Sequence, residues 1–413
     1  MNNFFKNVIT LMTGTLMGQL LIILTLPVIT RLYSPEQFGE YSNMVAIISI
    51  LGVITTLRYD IAMAITDKRE ERNNLLYLSL ILNLVISIFI LIVLSLLSIF
   101  FKAFSIVEIT YIFISTLVLG LMQIFTSYNS SLGNFKKISF TKFSQSLIQV
   151  LVQLMGILTK NNIVFLFLGY LLGRSNGLFI LYKSGEKSIK WNEFSVKKIG
   201  MLSKKYKNYP FYGLPSSLLN AFSSNIIVIL TLFIFGGYYA GIYGFIIRMT
   251  SAPLQLISKS YNNALFKLAH ENNINQFKKV YFITSTSIFS LFLIVIVVYF
   301  NIEINLFQIV FGDQWKGVNE VFMPLLILTA FQYSIIPVTE LLTILNKQKL
   351  RLFWDIIKII LIVGLFIYTF YNNVPFKIFI YIFSVISIVL YIILHTMIIK
   401  VLNNANDKTI KEN

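Results

Sequence analysis

Residues 75–101 read LLYLSLILNLVISIFILIVLSLLSIFF, with no charged side chain among them. A helix that crosses a bilayer needs about 20 mostly apolar residues. The run is continuously apolar and does not alternate, so it fits a spanning helix and not a strand of an outer-membrane barrel. Outward from it, eleven further stretches of the same kind follow: 8–30, 38–66, 106–127, 143–159, 163–182, 211–235, 237–258, 281–300, 319–346, 353–371 and 375–400. Two are less apolar than the rest. Residues 143–159 carry several Gln and Ser, and 237–258 carry Arg248 and Pro253. Interrupted, polar spans tend to line cavities.

The composition agrees with this pattern. Of 413 residues, 56% are hydrophobic and 12% charged. A soluble domain carries about 25% charged residues, so an ordinary soluble enzyme is excluded. The 37 Phe and 22 Tyr exclude disorder. There is no cysteine, and His270 and His395 lie far apart. Neither a disulfide, a thiolate nucleophile nor a Cys- or His-based metal site is expected. No metal or cofactor is expected.

The formal net charge is +17. On a soluble protein this would suggest nucleic acid. Here the lysines and arginines fall in short connections between apolar runs, so membrane topology explains them and no nucleic-acid partner is expected. With the N-terminus inside, alternate connections hold 25 Lys and Arg and the others hold 5. That bias predicts an even number of spans and cytoplasmic termini. No small-residue cleavage site follows the first run, so it is expected to be a permanent span. The fold expected is an all-α integral membrane protein with twelve transmembrane helices in two pseudo-symmetric six-helix halves. The halves are 1–182 and 211–401, joined by a basic linker over 183–210, with a tail over 402–413. The linker holds eight lysines between Lys183 and Lys207. It reads as a topology loop with an interfacial helix, or as a surface that gathers anionic lipid head groups.

An internal repeat supports the halves. Phe38-Gly39-Glu40-Tyr41 matches Ala240-Gly241-Ile242-Tyr243, and Ser131-Leu132-Gly133-Asn134-Phe135-Lys136-Lys137 matches Ile344-Leu345-Asn346-Lys347-Gln348-Lys349. Such parallel repeats suggest a transporter that binds its cargo between two halves and rocks. Gly14 and Gly18 form Gly-x-x-x-Gly, a mark of close helix packing.

Four stretches carry a family resemblance. Residues 26–39 read LPVITRLYSPEQFG and 55–62 read TTLRYDIA. Residues 209–220 read YPFYGLPSSLLN and 311–315 read FGDQW. Over nearly the whole chain, the sequence resembles the polysaccharide-biosynthesis, or O-antigen flippase, family of bacteria. That family sits within the multidrug/oligosaccharidyl-lipid/polysaccharide exporter superfamily. The resemblance implies a transporter and not an enzyme. It implies movement of undecaprenyl-pyrophosphate-linked oligosaccharide from the cytoplasmic to the periplasmic leaflet of the inner membrane, for O-antigen, lipopolysaccharide or a related surface polysaccharide. A polysaccharide polymerase and a chain-length regulator are expected as neighbours.

Charges at membrane depth are costly, so those inside the apolar runs are candidate site residues. Arg58, Arg174 and Arg248 are the expected substrate-binding cations, since guanidinium binds phosphate oxygens in a fork and stays charged. Each could instead snorkel or pair for packing. Asp60, Glu340, Asp355 and Lys358 are candidates for ion coupling or ion pairing. Lys358 follows Asp355 by three residues on one helix, which suits a pair. Glu340 could titrate or pair with a lysine. Three other readings stay open. A glycan polymerase or ligase would carry a large outside loop, whereas the loops here are short. A cation-coupled drug exporter would favour acidic lumenal groups. A non-transporting scaffold would tolerate loss of the arginines. No phosphate-binding Walker motif is present, so ATP hydrolysis by this chain is not expected.

Overall fold

The computed structural model describes residues 2–66, 68–159, 162–189, 193–250, 274–301, 306–335 and 348–411. These residues are almost entirely helical. Contacts divide the chain into two units. The first is Met1–Tyr33 with Glu40–Ile229, and the second is Ser34–Gly39 with Leu230–Asn413. The basic connection over 183–210 therefore lies inside the first unit.

The elements of the first unit are α1 (Asn2–Leu32), α2 (Pro35–Ile54), α3 (Tyr59–Ala64), α4 (Arg69–Phe101), α5 (Ile106–Ser131), α6 (Phe135–Leu154), α7 (Val164–Gly185), α8 (Val196–Lys205) and most of α9 (Leu214–Phe235). The opening residues of α2 and the end of α9 belong to the second unit. Local chemistry sets several of the ends. Ser105 and Glu108 form a reciprocal cap at the start of α5: the Glu108 N–H donates to Ser105 Oγ at 3.3 Å and the Ser105 N–H to Glu108 Oε2 at 2.7 Å.

Two stripes of small residues fix how α6 is held. On α1, Gly14 and Gly18 face Ser139, Lys142 and Ser146 of α6. On α7, Gly169 and Gly173 face the backbone and side chains of Gln145, Gln149 and Gln153. A Cβ at Gly169 or Gly173 would come within 2.7 Å of α6 atoms, so only glycine allows this approach. The glutamines that fill the seam are hydrogen-bonded. Gln149 donates to the Tyr41 hydroxyl at 3.3 Å, and Asn176 of α7 donates to Ser144 Oγ at 2.6 Å.

The second unit comprises α10 (237–250), α11 (Ile274–Phe300), α12 (Leu306–Phe311), α13 (Val318–Ile335), α14 (Gln348–Asn372) and α15 (Phe376–Lys411), together with Ser34–Gly39. Only Gly236 separates α9 from α10, and its φ of 86° makes the turn that a side chain would oppose. An aromatic core forms around Trp315, which is fully buried. Phe245 lies 4.8 Å from Trp315 between ring centroids, and Phe38 lies 5.7 Å away at an edge-on angle. Gly39 and Gly241, from the two matched motifs, meet directly: a Cβ on Gly241 would lie 3.1 Å from the Gly39 nitrogen.

Among the described residues, ten helices are long and apolar enough to cross a membrane. Neither α6 nor the described part of α10 is among them. These are the two stretches that stood out as polar in the sequence, and the expected count of twelve is not reached on this criterion. One apolar stretch is also not one helix. Residues 38–66 are broken after Ile54, and α3 starts afresh at Tyr59.

Candidate functional site

The break is built by residues with no turn signature. Leu57 and Arg58 both adopt the left-handed conformation, with φ of 47° and 66°. This costs an L-residue about 1–2 kcal/mol each. Such strain persists only where the surroundings over-determine it, and it concentrates at functional positions. Here a compact bond set holds it. The Thr56 hydroxyl donates to Asp60 Oδ1 at 2.6 Å and accepts from the Arg58 N–H at 3.3 Å. The Tyr59 N–H donates to the Thr56 carbonyl at 3.1 Å. The Tyr59 hydroxyl donates to the Ser203 carbonyl at 3.0 Å, which ties α3 to α8.

This turn delivers Asp60 to a cavity of about 260 Å³ within the first unit. Asp60 is 4% exposed. Besides Thr56, its second oxygen faces Ser127 Oγ of α5 at 3.5 Å. The other chemistry-bearing walls are Arg174 of α7, Lys142 and Gln145 of α6, and Gln123 of α5. The Arg174 guanidinium stands 3.5 Å from the centre of the Tyr170 ring, a cation–π contact that fixes its position without neutralising it. Among the described residues, neither Asp60 nor Arg174 makes an ion pair within 4 Å; the pairs found join Arg69, Lys198 and Lys205 to glutamates. The cavity thus holds one carboxylate satisfied by hydroxyls and two cations, with amides beside them. A group of net negative charge would meet complementary charge here.

Asp60 and Arg174, two of the intramembrane charges singled out from the sequence, line the same cavity. Arg58 stands at the break itself, half-buried, with its Nε enclosed and unpartnered. Arg248 belongs to the second unit, on α10, 5.7 Å from the centre of the Phe38 ring. Asp355 and Lys358 lie on α14. The Lys358 ammonium donates to the Tyr391 hydroxyl at 3.3 Å and sits 5.4 Å from the Trp354 ring, so aromatic groups take up much of its surroundings. Glu340, with Pro253, lies outside the described residues. Sequence reasoning missed Lys142, which it counted among topology lysines, and the glutamines Gln123 and Gln145. The signal for the last was present: the polar character of 143–159.

The chain matches the outward-facing conformation of a multidrug resistance MATE family transporter of the MOP superfamily with a TM-score of 0.61 and 16% identity, over 97% of this chain and 96% of that one. It matches the inward-facing conformation of such a transporter with a TM-score of 0.64 and 15% identity, over 98% and 96%. It also matches a MOP superfamily transporter from Pyrococcus furiosus, described as having a binding pocket of reversed polarity that suggests a different function, with a TM-score of 0.59 and 16% identity over 97% and 96%. At these identities the likeness establishes the fold of a multi-pass membrane protein. The family model for polysaccharide biosynthesis proteins matches residues 4–266, more than half of the chain, and the protein belongs to that family. No curated protein matches the sequence.

Proposed function

We propose that this protein is a flippase for lipid-linked oligosaccharide, carrying undecaprenyl-pyrophosphate-linked repeat units from the cytoplasmic to the periplasmic leaflet by alternating access. Membership of the polysaccharide biosynthesis family supports the cargo class. The observation that carries the reading is the cavity where Arg174 and Lys142 outnumber Asp60. Taking a pyrophosphate out of water without partners costs several kcal/mol per charge, so this cargo requires cations at depth. The oligosaccharide needs hydrogen-bond donors and acceptors, which Gln123 and Gln145 offer. The polyprenyl chain stays in the lipid, and no covalent step is needed.

A second reading is a drug exporter of the MATE type. The fold supports it equally, and buried Asp60 is the group a cationic drug would seek. The two are separated by competition binding to the purified protein. The flippase reading expects polyprenyl-pyrophosphate sugar to displace a fluorescent analogue of itself while lipophilic cations do not. Displacement by cations alone would favour the exporter.

A further inference from the structure

Between the spanning helices α7 and α9 lies α8, a ten-residue helix whose two faces carry different lysines. Ser195 caps it by accepting from the Lys198 N–H at 3.4 Å. The inner face is clamped to the start of α4. Lys198 pairs with Glu70, and Lys205 pairs with Glu71 at 2.6 Å. The hydrogen bond to Glu71 raises the pKa of this exposed ammonium. Leu202 on this face is buried, and the Tyr59–Ser203 bond ties the helix to the break beside Asp60.

The outer face is different. At 100° per residue, Val196, Lys197, Gly200, Met201 and Lys204 fall on one arc of about 140°. All five are exposed, Val196 at 72% and Met201 at 54%; Met201, at the edge of the arc, also borders the groove that Lys198 and Lys205 share with Glu70 and Glu71. The arc contains no acidic residue, and exposed Lys207 follows it. Lysines interleaved with exposed apolar groups on one helical face are the pattern of an interfacial helix on an anionic surface. The chain length adds a tether. The spanning stretch Tyr209–Phe235 begins four residues after Lys205, and four residues reach at most about 14 Å. The end of α8 at Lys205 therefore lies within about 14 Å of the start of that stretch.

We propose that the outer face of α8 is a docking surface for anionic lipid head groups, with Lys197 and Lys204 as the contacting cations and Val196 and Met201 entering the interface. The inner lysines hold the helix while the outer lysines read the membrane. Bound head groups thereby steady α3 through Tyr59 and Ser203. This surface stands apart from the cargo reading, because its ligand is bulk lipid and its residues do not line the cavity.

The chain has no cysteine, so Met201→Cys provides a single site for an environment-sensitive fluorophore. The labelled full-length protein is placed in nanodiscs of phosphatidylcholine with rising phosphatidylglycerol. The emission is expected to shift blue as anionic lipid is added and to return with salt. In Lys197→Gln/Lys204→Gln the affinity for anionic lipid is expected to fall about fivefold per lysine, about 25-fold for the pair. Equal thermal unfolding of parent and variant would show that the fold is kept. Emission independent of phosphatidylglycerol, or an equal response in the double variant, would overturn the proposal. So would an equal shift in neutral nanodiscs on adding inorganic phosphate, which would mark a free-anion site, or soluble polyglutamate, which would mark an acidic protein partner.

Discussion

The charge on the cavity decides the sign of two substitutions. Arg174→Ala removes one of the two cations that line the cavity with Asp60 and makes the cavity less positive. A hydrogen bond from a charged group contributes about 1.5–3 kcal/mol, so an anionic cargo is expected to bind about 10- to 150-fold more weakly. Arg174→Lys keeps the charge but loses the guanidinium fork and the flat contact on Tyr170, so it recovers only part of this. Asp60→Asn moves the balance the other way. Asn keeps an oxygen to accept from Thr56, so the break between α2 and α3 is retained. Anionic cargo is then expected to bind as well as before or better. The assay is binding of a fluorescent polyprenyl-pyrophosphate sugar to purified variants, beside surface polysaccharide in cells expressing them at equal membrane levels. Wild-type binding by Arg174→Ala, together with loss in Asp60→Asn, would refute the reasoning and point to a cationic cargo.

Other consequences follow from the packing and the charge bias. Gly241→Ala would drive a methyl into the Pro35 carbonyl, where backbone faces backbone, and is expected to cost about 1–3 kcal/mol, read as a lower midpoint of thermal unfolding in detergent. An unchanged midpoint would mean that α2 and α10 part readily there. Reporter fusions after Lys207 and Asn413 are expected to report cytoplasm, and a fusion near Asn305 the outside. A periplasmic signal at Lys207 would overturn the charge-derived orientation.

Much of the helical plan could be read from the chain because burial in lipid demands long apolar runs, and these are visible without knowing which helices touch. The same logic marked 143–159 as unusual, and α6 is indeed the polar helix held between the glycine stripes of α1 and α7. Gly14 and Gly18 were legible for the same reason: a missing side chain at i and i+4 leaves room on one face. The break at Leu57–Arg58 was not legible. Thr-Thr-Leu-Arg carries no glycine or proline, and its left-handed pair is fixed by a bond from Thr56 to Asp60 that requires the break itself. Lys142 was hidden by its place near the end of an apolar run, where snorkelling explains a lysine equally well. Only the packing of α6 against its neighbours makes it line the cavity with Arg174 and Asp60.

The central claim is that the protein moves a completed lipid-linked repeat unit. It is tested most directly by leaflet-resolved labelling of that unit in cells lacking the gene. Synthesis precedes transport, so the account predicts that complete units accumulate in the inner leaflet while polymer outside disappears. Complete units in the outer leaflet at the parental level would contradict it, since another protein would then perform the flip.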